Sequence, residues 1–408
     1  MPDKEGLRVI LRELLIDLSK LFEQIPDDDR AKYPIIWGAK DRFCIKDIHA
    51  YTQITDEIIL RNKHLLKKFH QKTLLSYVAQ SLLKALRKQS IIDDLFSSTF
   101  FDDLLSQSPE SLTCATVITG ISLEEKSDIS IGAYNIFTQE ELKYPYKIAD
   151  ELFLWITVKI NNSYDRELAK EKGNSLFNDF RRMICFLLGQ YGDKYEIRIG
   201  FPLLKKIGPY QASGENYEIV FFNENKQMLG AHSSKPIYLL VPLHDPYFAQ
   251  NPNFSQLWEI HSRMTNNSHL TELEKRIVNS ALAVGESIVT DDFRNSVIYS
   301  CIAVETLLSF DEKSLFQPSI GERIAESVAV LVGPSQDERL AIYKLVKNAY
   351  ALRSALVHGG QPEMENNHFA LNYYLKMIIN RLLNEEPFIH MKTIVDLYGY
   401  IKFKKFSF

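Results

Sequence analysis

The pairing with the clearest chemical use in this sequence is Arg353 with His358, in the segment YALRSALVHGG. A guanidinium presents a planar fork of donors that fits phosphate oxygens and keeps its charge. An imidazole can give or take a proton near neutral pH. With four residues between them, in an R-x-x-x-x-H pattern, the two can grip a phosphodiester and move protons around it. RNA supplies the remaining part, because its 2'-hydroxyl is an internal nucleophile beside each phosphorus. Cleavage by that route needs in-line positioning, proton transfer and charge neutralisation, and no metal or cofactor. On RNA, that chemistry would leave a 2',3'-cyclic phosphate and a 5'-hydroxyl.

Looser pairs exist, Arg42 with His49 and Arg263 with His269, and the second falls in a polar stretch over 251–269 with no evident scaffold. Placement sets Arg353 and His358 apart. A helix is expected over about 337–357, with Ile342, Leu345, Val346, Ala349, Leu352 and Leu356 as its buried stripe. Arg353 falls on or beside that stripe, where a cation needs a partner or a use. Five residues turn an ideal helix through about 140° net, so both side chains would not share one face. Fraying at Gly359-Gly360 would swing His358 towards Arg353.

Four further residues join this pair as supporting or substrate-binding candidates. Glu305 lines up with Ile298, Cys301 and Ile302, which puts a carboxylate on an apolar stripe. It either orients Arg353 or Arg323 through an ion pair or reaches water from the stripe's edge. Arg323 sits among apolar residues and would contact phosphate or pair with an acid. Tyr350, one turn before Arg353, would stack on a base or fill core. Ser354 follows the arginine directly.

The elements that must hold these residues are helices with legible ends. Thr271 and Glu274 have capping-box spacing and start a helix that runs to about 289. A second follows Asp291 or Asp292 and runs to about 309. A third spans about 320–332, before Gly333-Pro334, and a fifth spans about 367–384. Short connections between five helices suggest an up-down bundle. Upstream, residues 5–24 and 54–90 also read as helices. The second carries a basic face of Arg61, Lys63, Lys67, Lys68, Lys72, Lys84, Arg87 and Lys88, either a solvated surface or a phosphate-contacting one. Between these regions, LTCATVITGIS, DISIGAYNIFT, ELFLWITVKI, KYEIRIGF, YEIVFF and KPIYLLVPL read as strands, with a helix over about 164–190. The expected organisation is multidomain: an N-terminal helical region over 1–111, an α+β domain over 112–250, and an all-α bundle with a C-terminal tail over 251–408.

Hydrophobic residues at 45% and charged residues at 25% give an ordinary globular balance, and the formal net charge of -4 argues against wholesale wrapping of nucleic acid. It leaves room for a local basic groove, and were RNA the substrate its binding would be weak and local or limited to a triggered state. The scattered Cys44, Cys114, Cys185 and Cys301 signal neither a disulfide framework nor a zinc site. The charged N-terminus does not read as a signal peptide, and no apolar run approaches the ~20 residues that span a bilayer. A cytoplasmic protein without membrane partners is expected. Trp37, Trp155 and Trp258 read as packing residues. No phosphate-loop, serine-hydrolase or zinc-protease pattern occurs.

Over about 271–384, the landmarks RIVNSALAVGES, YSCIAVETLLS, GERIAESVAVLVG and ALRSALVHGG resemble the Apea-like HEPN family. That resemblance implies a HEPN helical bundle, commonly a homodimer, in which two R-x-x-x-x-H motifs meet in one composite cleft. It implies metal-independent endoribonuclease activity on RNA, often in toxins or anti-phage abortive infection, here with Arg353 and His358 as the catalytic pair. The preceding residues would then sense a phage-derived trigger, or answer to an antitoxin. Many relatives carry a larger polar residue where this sequence has Ser354. A HEPN module that binds RNA, nucleotide or a protein partner without turnover is the alternative.

Overall fold

The computed structural model describes residues 4–24, 36–37, 43–88, 101–123, 128–138, 154–189, 197–200, 205–207, 210–212, 218–222, 228–233, 240–243, 252–290, 292–310, 319–360 and 367–406. Its contacts divide the chain into two units: Met1–Cys114 with Lys159–Gly173, and Ala115–Val158 with Asn174–Phe408. The described part is mostly helical, with a small antiparallel sheet in its middle and a C-terminal run of helices. No described helix is long and apolar enough to cross a membrane.

In the first unit, helix α1 (Lys4–Lys20) gives way to strand β1 (Phe22–Gln24), so the helix expected over 5–24 ends early. The reason is long-range pairing. Phe22 is drawn to Ile45 of β3 (Phe43–Ile45), and β3 also pairs with β2 (Ile36–Trp37). The helix expected over 54–90 is two helices, α2 (Ile48–Arg61) and α3 (Gln71–Lys88), with a short 3-10 turn, Lys63–Lys67, between them. The break is held from elsewhere in the chain. The His70 amide donates to the Asp165 carboxylate at 2.5 Å, and the His70 ring lies 2.9 Å from Glu171. Leu15, Leu18, Ile58, Leu65, Phe69, Val78 and Leu82 form the core. The basic face is partly neutralised: Arg61 pairs with Glu57 at 2.5 Å, Lys72 with Glu167 at 3.3 Å, and Lys68 sits 4.7 Å over the Tyr164 ring. Those contacts favour an ordinary solvated surface over a phosphate-binding one.

A short helix, α4 (Asp102–Leu105), precedes the sheet. Strands β4 (Glu110–Thr119), β5 (Ile121–Ser122), β6 (Asp128–Ile131), β7 (Tyr134–Phe137) and β8 (Leu154–Ser163) fall where β-branched and aromatic residues place them. Helix α5 (Arg166–Leu188) stops at Gly189, whose φ of +67° few other residues tolerate. With β9 (Arg198–Ile199), the main sheet runs β6-β7-β8-β4-β9. Two hairpins follow, β10 (Lys205–Ile207) with β11 (Tyr210–Ala212), and β12 (Glu218–Phe222) with β13 (Met228–Ser233). The strand expected over 235–243 is described only from residue 240, as β14 (Val241–Pro242), which runs parallel to β5.

The stretch over 251–269 is not a linker. It forms α6 (Pro252–Thr265), which buries Leu257, Trp258, Ile260 and His261. Trp258 packs at 5.7 Å from Tyr134 of β7 and 5.4 Å from Phe180 of α5, in the packing role expected of it. Arg263, one of the looser arginine candidates, bonds to Glu274 and so ties α6 to the next helix.

The remaining helices are α7 (Glu272–Val289), α8 (Phe293–Leu308), α9 (Ile320–Val332), α10 (Gln336–Val357), α11 (Asn367–Asn384) and α12 (Ile394–Phe406). Their ends match the expected caps. Thr271 and Glu274 form a complete capping box, Asp292 caps α8, and Gly333 closes α9. The last helix was not foreseen. It buries Ile394, Leu397, Tyr398 and Ile401 at helical spacing. Helices α5 and α7 approach so closely that a Cβ on Gly285 would lie 2.0 Å from the Arg182 carbonyl oxygen. Arg182 also bonds to Glu286. The Lys376 ammonium of α11 donates to the Leu187 carbonyl at 2.5 Å, at the end of α5, and its burial lowers its pKa.

Candidate active site

Helix α10 carries the central candidates. It opens with a second complete capping box, in which Glu338 Oε2 accepts from the Ser335 amide at 3.1 Å. It buries Ile342, Val346, Ala349 and Leu352 and stays helical through Val357. At its end, Gly360 donates to the Ala355 carbonyl at 2.8 Å and Gly359 to Leu356 at 3.4 Å, the two bonds of a Schellman cap. Gly359 supplies the required left-handed residue, with a φ of +81°. The break therefore falls one residue past His358, whose φ of -88° and ψ of 13° keep it near the helical path. The swing of His358 towards Arg353 that fraying would allow does not occur. His358 is exposed at the helix end, about 140° around the axis from Arg353.

Arg353 follows the buried Leu352, at the edge of the apolar stripe, and is 36% exposed. Its Nη2 lies 4.0 Å from Glu305 Oε1 of α8. Its Nε is buried and has no hydrogen-bond partner among the described residues. Glu305 lies at the edge of the α8 stripe, which is made by Val297, Cys301, Val304 and Leu308. Ile302, expected on that stripe, is 38% exposed. Tyr350 sits between these groups. Burial, then the Cys301 thiol and the Glu305 carboxylate, push its phenol well above the usual range, against the pull of Arg353. Burial and Glu305 push the Cys301 thiol up to about 12, with Arg353 again opposing. Both groups therefore stay neutral, and the charges at this spot are those of Arg353 and Glu305.

Beside them opens a groove of about 430 Å³. Glu305, Tyr350, Arg353 and Ser354, four of the candidates from sequence, line it. His358 and Arg323 do not. Arg323 donates through Nη1 to the Phe310 carbonyl at 2.6 Å and fastens the chain just past α8. Among the described residues it bonds to this backbone carbonyl and pairs with no acid. Sequence reasoning missed Lys347, on the α10 wall, and Glu322 with the first turn of α9, Ser319–Gly321, which form the other wall. Gly321 lets that turn approach the Tyr350 ring, where a Cβ would lie 3.1 Å from Cγ. One signal was available: Lys347, Tyr350, Ala351 and Ser354 recur at the spacing of a single helix face.

No protein-family model, no curated protein and no solved structure matches this chain.

Proposed function

We propose that this chain is a HEPN-type endoribonuclease that cleaves RNA by attack of the 2'-hydroxyl, with Arg353 and His358 as its catalytic pair. The observation that supports this most is the groove beside Arg353: a half-buried guanidinium, backed by Glu305, lines open space. In the reaction the 2'-oxygen bonds to phosphorus and the bond to the 5'-oxygen breaks. The hydroxyl proton leaves to a base, and a proton reaches the departing oxygen. Arg353 neutralises the phosphorane oxygens, and His358 moves the protons. One protomer holds His358 outside its own groove, so the reading requires a homodimer whose paired α10 ends place both histidines around one strand. A phage-triggered or toxin-like role in the cytoplasm, held in check by the N-terminal regions, fits an activity that damages its own cell.

Incubating the full chain with tRNA and with DNA of matched sequence tests this. Cleaved RNA with 2',3'-cyclic phosphate ends, intact DNA, and inactive Arg353→Ala and His358→Ala variants are expected. Equal cleavage by wild type and His358→Ala overturns the assignment. The position of His358 outside the groove favours a second reading, a HEPN module that binds RNA without turnover. Undiminished RNA binding with no cleavage by any form would select it.

A further inference from the structure

We infer that the outer half of this groove reads a guanine base through Glu322 and Lys347, next to the phosphate held by Arg353; this rests on the groove being an RNA site. The first observation is charge balance. Two cations, Arg353 and Lys347, face two carboxylates, Glu305 and Glu322. A site for phosphate alone would carry excess positive charge, because each carboxylate repels the ligand. Carboxylates lining an RNA groove need donors, and base edges provide them.

The second observation is the orientation of Glu322. Ser319 and Glu322 have the capping-box spacing seen at Thr271 and Glu274 and at Ser335 and Glu338. In those two helices the glutamate returns to the amide of the cap residue. At α9 only the serine half forms, with the Glu322 amide donating to Ser319 Oγ at 3.3 Å. The carboxylate instead accepts from the Tyr343 hydroxyl at 3.1 Å and sits 4.0 Å from the Lys347 ammonium. It is thus held at the groove wall beside a cation, at a distance too long for a direct hydrogen bond.

A fixed carboxylate beside an ammonium matches the Watson–Crick edge of guanine. Adjacent N1–H and N2–H groups donate to the carboxylate, and O6 accepts from the ammonium. No other RNA base offers two adjacent donors beside an acceptor. Single-stranded RNA presents that edge freely. Lys347 and Glu322 are 47% and 38% exposed, so a base can reach both without displacing core.

The test uses the His358→Ala full chain and fluorescent RNA hexamers that differ only in one central base: guanine, inosine, adenine, cytosine or uracil. Guanine should bind tightest, and inosine, which lacks the N2 amino group, about ten- to a hundredfold more weakly, as for one lost hydrogen bond to a charged group. Glu322→Gln should erase the guanine preference and weaken inosine through its shared N1–H, leaving the adenine and cytosine hexamers least changed, and Lys347→Met should weaken guanine without favouring inosine. Equal binding of guanine, inosine and adenine hexamers overturns the inference, as does a preference that survives Glu322→Gln. Guanine-selective binding by a wild type that never cleaves supports base reading and refutes the nuclease. Cleavage without base preference does the reverse, and a failure to bind any hexamer overturns both.

Discussion

Two places among the C-terminal helices and their supporting sheet set a basic side chain against a carboxylate and a tyrosine, and they differ in the space beside them. In one, His261 of α6 is fully buried, with Nε2 3.5 Å from Asp179 and its ring stacked 6.0 Å from Tyr134. Trp258 and Phe180 close the surroundings, and Arg182 reaches the same carboxylate at 3.3 Å. In the other, Arg353 stands 4.0 Å from Glu305, beside Tyr350, with an open groove before it. The residue types are similar. The sealed cluster joins α5, α6 and β7, whereas the open one leaves a cation able to meet a ligand. Side-chain chemistry nominates a site, and adjoining volume decides whether a substrate can use it.

The largest expected effect separates the two clusters directly. Arg353→Ala and His358→Ala should each lower RNA cleavage about 10²–10⁴-fold, with thermal midpoints near wild type. His261→Ala should do the opposite, lowering the midpoint while cleavage per folded molecule stays constant. Loss of cleavage at an unchanged midpoint in His261→Ala would break the contrast. Next, Trp258→Ala should cost about 3–5 kcal/mol in urea unfolding, because its ring fills the sealed cluster. A loss below about 1 kcal/mol would show that cluster to be loosely packed.

Smaller effects probe the seams around each cluster. Gly285→Ala should destabilise by about 1–3 kcal/mol or more, since the added methyl meets Arg182 backbone at 2.0 Å. Gly359→Ala should cost about 1–2 kcal/mol through its φ of +81°, although nothing crowds the methyl there. Calorimetry of both variants would rank the two glycines, and the reverse order would contradict the close α5–α7 approach. The smallest effect is pH-dependent. Burial raises the Glu274 pKa, but hydrogen bonds from Arg263 and Thr271 outweigh it and leave the carboxyl below its ordinary value of 4.5. Its contribution is therefore complete above that value and lost as pH falls through the lower folded one. The gap in thermal midpoint between wild type and Glu274→Gln should be constant above about pH 5 and close in acid. A gap that widens in acid would reverse the sign.

Local chemistry made the C-terminal helices legible. Thr271, Asp292, Gly333 and Gly359 mark their ends through caps that act within a few residues. Where distant partners decide, the sequence was mute. The break between α2 and α3 depends on Asp165, ninety-five residues from His70, with no proline or glycine to announce it. The stripe of α6 was present at residues 257, 258, 260 and 261 but diluted by neighbouring asparagines and serines. Of the site, Arg353 and Glu305 were visible as charges misplaced on apolar stripes. Lys347 and Glu322 were not, because each reads as a routine exposed helix residue until the start of α9 is brought against α10.

The meeting of α5 with α7 has a consequence for how this protein can be divided. A fragment beginning at residue 251, where the polar stretch invites a cut, would keep the groove residues and lose α5. Glu286 would then lack Arg182, Lys376 would lose the Leu187 carbonyl, and the bare backbone at Gly285 would face water. Such a fragment should be insoluble or molten, whereas one beginning ahead of β4, before Glu110, retains α5 and the whole strand. The helices that carry the groove lean on one encoded well upstream of them.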